Sequence, residues 1–139
     1  MRFVIGADEA CLVLEHIAKH LRDRGHEATV LPVKAWAEIA IDIGREVAGG
    51  HADHGVVCCF TGTGVSMAAN KISGVRAALC VDAQTAAGAR KWNDANVLAL
   101  SLRLLSLPLA SEIVDAWLDA AYAGSEGDSL ERLAREERR

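Results

Sequence analysis

Short apolar runs alternate with amphipathic stretches along the whole chain. Arg2 to Gly6 forms a short apolar strand. Between Glu9 and Arg24, Leu12, Leu14, Ile17, Ala18 and Leu21 recur near helical spacing, and Gly25 is a natural stop. Glu27 to Val33 reads as a second strand, and Trp36 to Ala48 repeats the helical pattern before Gly49-Gly50. Gly55 to Cys59 is the third strand, followed by a Gly/Thr loop and a helix over Val65 to Ile72. Val75 to Val81, Gln84 to Lys91 and Asn96 to Leu100 predict strand, helix and strand in turn. Ser106-Leu107-Pro108 opens a helix to about Tyr122, with Pro108 suited to the first turn. Such alternation implies an α/β fold, a Rossmann-like three-layer sandwich whose five-stranded parallel sheet is covered on both faces. The third strand, flanked by apolar neighbours, is expected at its centre. Residues 1–123 read as one domain. Residues 124–139 read as a charged C-terminal tail, loosely ordered or docked on a partner chain.

Composition narrows the function classes. A chain of 139 residues with 51% apolar content builds a real core. Its formal net charge of -4 and the lack of a long basic stretch argue against a nucleic-acid surface. No apolar run approaches the roughly 20 residues of a membrane span. The N-terminus opens on a strand and reads as lacking a secretory signal. Cys11, Cys58, Cys59 and Cys80 show neither C-x-x-C nor metal spacing, so they read as free thiols of a cytoplasmic protein. His51 and His54 precede a strand without a second ligand pair, which disfavours zinc; they are expected as solvated turn residues.

The chemistry concentrates after the third strand. There Cys59-Phe60-Thr61-Gly62-Thr63-Gly64 places a thiol before a loop that can turn several backbone N–H groups toward one point. A thiol at a helix start is a usable base near neutral pH. The alternative is a buried Cys that only packs; that reading is assigned to Cys11, Cys58 and Cys80. Ligands of open α/β sheets bind beyond the carboxyl ends of the strands. Asp8-Glu9 after the first strand and Ser101 to Arg103 after the fifth fall at such ends.

Several segments resemble the ribose-5-phosphate isomerase B family, which includes galactose-6-phosphate isomerase subunits. Gly6-Ala7-Asp8-Glu9-Ala10 is similar to its first loop, and Cys59 through Lys71 to its C-G-T-G-x-G-x-S-x-A-A-N-K signature. Gly74 to Cys80 resembles G-[IV]-R-A-A-L-C, and Trp92 to Leu100 resembles H-N-D-A-N-V-L-A-L. The resemblance spans roughly residues 2 to 122. It implies an aldose–ketose isomerase working through a cis-enediolate, with Cys59 moving a proton between neighbouring carbons. In that scheme the backbone amides of Phe60 to Gly64 hold the enediolate oxygen, Thr61 adds a hydroxyl donor, Thr63 belongs to the substrate-binding loop, and Asp8 and Asn93 bind sugar hydroxyls. The resemblance implies no metal or organic cofactor, and a homodimer that can pair further into a tetramer, with sites between subunits.

The chain departs from that pattern where ring opening and phosphate binding are concerned. Trp92 stands in place of a ring-opening histidine and has no group that titrates near neutrality. Gly124 to Leu130 lacks the family's phosphate-binding arginines, which leaves Arg103, or Arg132 and Arg135 from a shifted tail, as candidate cations. Glu9 replaces a histidine; it either complements the helix N-terminus or supplies acid–base chemistry. Phe60 replaces a glycine, and Trp36-Ala37-Glu38 stands where many members carry Y-P-[DH]. An acyclic substrate such as a tetrulose phosphate makes these changes coherent, because it has no ring to open. A non-phosphorylated sugar is another candidate. The competing classes are a catalytically impaired or partner-dependent sugar-binding subunit and a ligand-reporting binding module. Trp117 and Tyr122 are expected on the last helix, in core or dimer packing, and Asn70 and Lys71 as anchors of loop and helix.

Overall fold

The structure is a computed structural model that describes residues 1–138. Its strands are β1 (Arg2–Ala7), β2 (Glu27–Val30), β3 (His54–Cys59), β4 (Ala77–Leu79) and β5 (Val97–Ser101). Its helices are α1 (Leu12–Asp23), α2 (Trp36–Ala48), α3 (Thr63–Ala69), α4 (Ala83–Asn93), α5 (Leu107–Asp119) and α6 (Gly127–Glu137). All strand pairs are parallel, in the order β2-β1-β3-β5-β4. The expected five-stranded parallel sheet with β3 at its centre is therefore present.

Alternation along the strands sorts the core into two halves. Phe3, Ile5, Val56, Cys58, Leu98 and Leu100 face α1, α4 and α5. Val4, Val57, Cys59, Val97 and Ala99 face α2 and α3. Adjacent Cys58 and Cys59 thus lie on opposite faces, as strand geometry requires. Burial pushes the Cys58 thiol far up and the Cys80 thiol up to about 12, which fits packing roles for both. Helix α2 approaches β1 closely because Gly6 has no side chain: a Cβ there would lie 2.6 Å from Ile39. Helix starts follow the sequence where a cap exists. Asp82 accepts from the Thr85 amide at 2.7 Å, and Ser106 from the Leu109 amide at 3.1 Å.

Some expectations are corrected. Strand β4 is shorter than Val75 to Val81, because the Arg76 amide bonds the Asn96 side chain at 2.8 Å instead of a strand partner. Helix α5 ends at Asp119, so Tyr122 lies beyond it, while Trp117 is buried in the core. Residues 127–137 of the tail are helical rather than loose, and Glu137 accepts from the Gly74 amide at 3.1 Å.

His54 is buried rather than solvated. It stacks on Phe3, and its Nδ1 accepts from Trp117 Nε1 at 3.2 Å. Burial, aided by nearby Arg90, lowers its pKa from 6.5 to about 4. The unfolded chain binds this proton below about pH 6.5 and the native protein only near pH 4. The stabilisation is thus complete above pH 6.5 and is lost as pH falls toward 4. Asp53, held down to about 2 by Arg2, titrates below that window. Denaturant unfolding at pH 7 and 4.5 is expected to differ by about 2–3 kcal/mol through His54 alone. His54→Gln should flatten that slope.

Candidate active site

Parallel strands put every carboxyl end on one edge of the sheet, and the strand order reverses between β1 and β3. Ligands of open α/β sheets bind in the crevice this creates. Asp8 and Glu9 follow β1 on one side, half-buried and exposed respectively, and Cys59 ends β3 on the other. Neighbouring strands lie roughly 4.8 Å apart, so these groups share one narrow mouth.

The loop after Cys59 is fixed by a few contacts. The Gly62 amide donates to Cys59 Sγ at 3.2 Å. Gly62 has a φ of +78°, and a Cβ there would meet Leu79 Cδ1 at 2.5 Å and the Leu100 carbonyl carbon at 2.9 Å. Only glycine satisfies both the left-handed turn and this close approach. Thr61 Oγ1 and Thr63 Oγ1 share a hydrogen bond of 2.8 Å at the exposed rim. The first-turn amides of α3, including those of Thr63 and Gly64, have no intrahelical acceptor. They leave donors available around the thiol.

The β5 end is tied to this loop. The Leu102 amide donates to the Cys59 carbonyl at 3.0 Å, and the Arg103 amide to the Phe60 carbonyl at 2.9 Å. Ser101 Oγ also donates to the Phe60 carbonyl, at 3.1 Å. Arg103 and the Phe60 ring are exposed beside the thiol's loop. Cys59 itself is only 7% exposed, so a small ligand alone can reach it.

Trp92 and Asn93 are not in this cluster. They end α4 just before β5, at the opposite edge of the sheet. Cys59 is paired with Ser101 at the far end of β5, so at least about 13 Å of strand separates the two groups. Folding of one chain therefore does not assemble the whole set expected from sequence. Trp92 instead lies on Gly88, where a Cβ would sit 2.8 Å from the indole. The neighbouring Asp94 takes a structural role: Arg76 and Arg90 hold its carboxylate at 3.3 and 3.2 Å. Asn70 secures the edge strand, accepting from and donating to the Ala77 backbone at 2.8 and 2.9 Å.

A groove of about 1470 Å³ opens beside Trp92 and Asn93, lined also by Ala77, Leu79, Leu130 and Leu133. Arg132 and Arg135 are paired with Glu136 and Glu131 along α6. Trp36 is a site neighbour whose contact the sequence did not reveal. Its ring lies against Gly64, although an aromatic residue opening a helix beside a glycine loop was the available signal. Among the described residues, no cluster of three or more His, Cys, Asp or Glu is arranged to hold a metal. Likewise, no helix among them is long and apolar enough to cross a membrane.

Residues 3–135 match a family model described as Ribose/Galactose Isomerase. The chain is 40% identical to ribose-5-phosphate isomerase B of Escherichia coli over 131 residues, covering 88% of this chain and 87% of that protein. It is 36% identical to D-erythrulose-4-phosphate isomerase of Pectobacterium atrosepticum, covering 89% and 86%. The crystal structure of ribose-5-phosphate isomerase B from Mycoplasma genitalium with bound ribulose-5-phosphate superposes with a TM-score of 0.93 at 32% identity, covering 99% and 96%. A match over nearly the whole chain, together with the thiol and glycine loop at the sheet's crevice, means that this chain belongs to the ribose/galactose isomerase family.

Proposed function

We propose that the protein interconverts a short acyclic aldose phosphate and its ketose, with Cys59 as the base of a cis-enediolate mechanism. The observation that carries this reading is the Gly62 amide aimed at Cys59 Sγ in a loop whose neighbouring amides lack intrahelical acceptors. The thiolate takes a proton from the carbon beside the carbonyl. The electron pair moves into the carbonyl, and the loop donors hold the developing enediolate oxygen. Thr61 adds a hydroxyl donor at the rim. The thiol then returns the proton to the neighbouring carbon, leaving a carbonyl where the hydroxyl stood. In this reading Asp8 orients the sugar hydroxyls, and the exposed Glu9 relays protons between hydroxyl and carbonyl oxygens.

The acyclic substrate follows from what is missing. Trp92 offers an N–H but no titratable group for opening a ring. A four-carbon ketose phosphorylated on its terminal carbon cannot close a furanose through that carbon. A chain stretched from Arg103 past Cys59 to Asp8 crosses the ends of β5, β3 and β1, a span of roughly 10 Å. That suits a four-carbon phosphate, with Arg103 as the phosphate's cation. D-erythrulose-4-phosphate isomerase among the relatives supports the same reading. In a screen of four-, five- and six-carbon substrates with and without phosphate, a tetrulose phosphate is expected to give the highest kcat/KM. Efficient turnover of ribose 5-phosphate with none of the tetrulose phosphate would contradict it.

We further infer a cytoplasmic homodimer. Trp92 and Asn93 of one copy meet the Cys59 loop of another, since within one chain they sit at opposite sheet edges. The groove beside them, bordered by the outer edge of β4, mixes apolar residues such as Ala77, Leu79, Leu130 and Leu133 with charged ones such as Arg76 and Asp94, and offers the surface for this pairing. Light scattering at micromolar concentration is expected to give twice the chain mass or a multiple of it. A monomer would overturn the shared site.

A further inference from the structure

We propose that Asp94 is a positioning residue: clasped by Arg76 and Arg90, it fixes the end of α4 and with it the place of Asn93 in the shared site. This rests on the reading that Asn93 of one copy serves the Cys59 loop of another. The clasp itself is seen directly. Asp94 caps α4 with φ +46° and ψ +42°, the one residue other than glycine with positive φ among those described. A residue with a Cβ is strained there, and glycine would take the same turn freely. The backbone alone therefore gives no reason for a carboxylate at this position.

The reason lies in the two arginines, which come from different elements. Arg76 precedes β4; its Nη2 donates to Asp94 Oδ2 at 3.3 Å and its Nε to the Asp94 carbonyl at 2.7 Å. Arg90 belongs to the last turn of α4; its Nη1 donates to Asp94 Oδ1 at 3.2 Å and also to the Ala95 carbonyl. Each carboxylate oxygen thus serves a separate guanidinium, an arrangement a neutral amide cannot match. Both arginines are themselves held. Arg90 lies over the ring of buried Trp117, 5.6 Å from its centroid. The Arg76 amide donates to Asn96 Oδ1 at 2.8 Å, and Asn96 Nδ2 donates to the Gly74 carbonyl at 2.9 Å. The Ala123 amide adds a bond to the Lys91 carbonyl at 2.9 Å. The last turn of α4 is therefore braced from the start of β4, from the core and from the chain beyond α5.

Asn93 sits within this bracing and takes no part in it. It is exposed, and its side-chain carboxamide bonds nothing among the described residues. Held at a fixed place, that carboxamide offers a donor and an acceptor to a sugar hydroxyl without first having to be ordered.

The test is a double-mutant cycle on the full chain. It is read by kcat/KM for a tetrulose phosphate and by Kd for a four-carbon phosphorylated hydroxamate, a mimic of the enediolate. Asp94→Gly keeps the turn and removes the clasp. It is expected to lower kcat/KM by about tenfold alone, and by less than about twofold when combined with Asn93→Ala. Asp94→Asn, with one oxygen for two arginines, falls between, and it carries the cycle if the glycine variant does not fold. Equal losses with and without Asn93→Ala overturn the proposal, because Asp94 would then act on the fold at large. A second readout needs no substrate: NMR relaxation of the backbone amides of Trp92 and Asn93. These are expected to be ordered in wild type and to loosen in Asp94→Asn. Unchanged order in that variant overturns the proposal. Loosening in a protein that turns over no sugar phosphate would sink the isomerase reading and leave the placing of Asn93 by Asp94 standing.

Discussion

The junction of β3 and β5 at their carboxyl ends is the constraint on which the site depends. There the Phe60 carbonyl accepts from both Ser101 Oγ and the Arg103 amide, while the Leu102 amide holds the Cys59 carbonyl. These bonds lock the peptide that follows the thiol. With that peptide fixed, the chain must reverse at once, and Gly62 does so with positive φ in a space that backbone and Leu79 leave too small for a Cβ. The turn then delivers its own amide to Sγ. Each contact is ordinary in strength, near 1 kcal/mol. Their effect is geometric: the segment after β3, the end of β5 and Leu79 are held in one register, which is the preorganisation that the proposed enediolate chemistry requires.

Two faces of the sheet divide the work around this junction. Cys58 faces the α1, α4 and α5 side and is a packing group, with burial raising its pKa far out of the working range. Cys59, one residue on, turns to the α2 and α3 side, where Trp36 and the glycine loop meet. A shift of one residue in the β3 register would exchange the two thiols and lose the site. The paired glycine contacts keep that register tight: Gly6 admits Ile39, and Gly55 admits Ile43 at 2.5 Å from where a Cβ would stand.

Local patterns made the architecture legible. Apolar runs broken by Gly, with amphipathic segments between them, specify parallel strands under two helical layers, and the glycine loop after the third strand marked the candidate site. What sequence did not carry was tertiary placement. The family resemblance groups Asn93 with the Cys59 loop, yet the fold leaves it at the far sheet edge, because α4 runs back antiparallel to the strands. His54 reads as polar and solvated, yet a tryptophan 63 positions away supplies its hydrogen bond and makes burial tolerable. The tail's charges suggested loose order, while i,i+4 pairs such as Arg132–Glu136 and Arg135–Glu131 support it as a helix. The packing of the Trp36 ring on Gly64 joins residues 28 positions apart and had no local signature.

Proton transfer by Cys59 is the central claim, and isotope exchange tests it most directly. The protein is incubated with a four-carbon ketose phosphate in heavy water, and deuterium entering the carbon beside the carbonyl is followed by NMR. Wild type is expected to exchange that hydrogen as it isomerises. Cys59→Ala should lose exchange and turnover together while binding the phosphorylated hydroxamate with nearly unchanged Kd. Exchange at the wild-type rate in Cys59→Ala would contradict the account, because the base would then be another group.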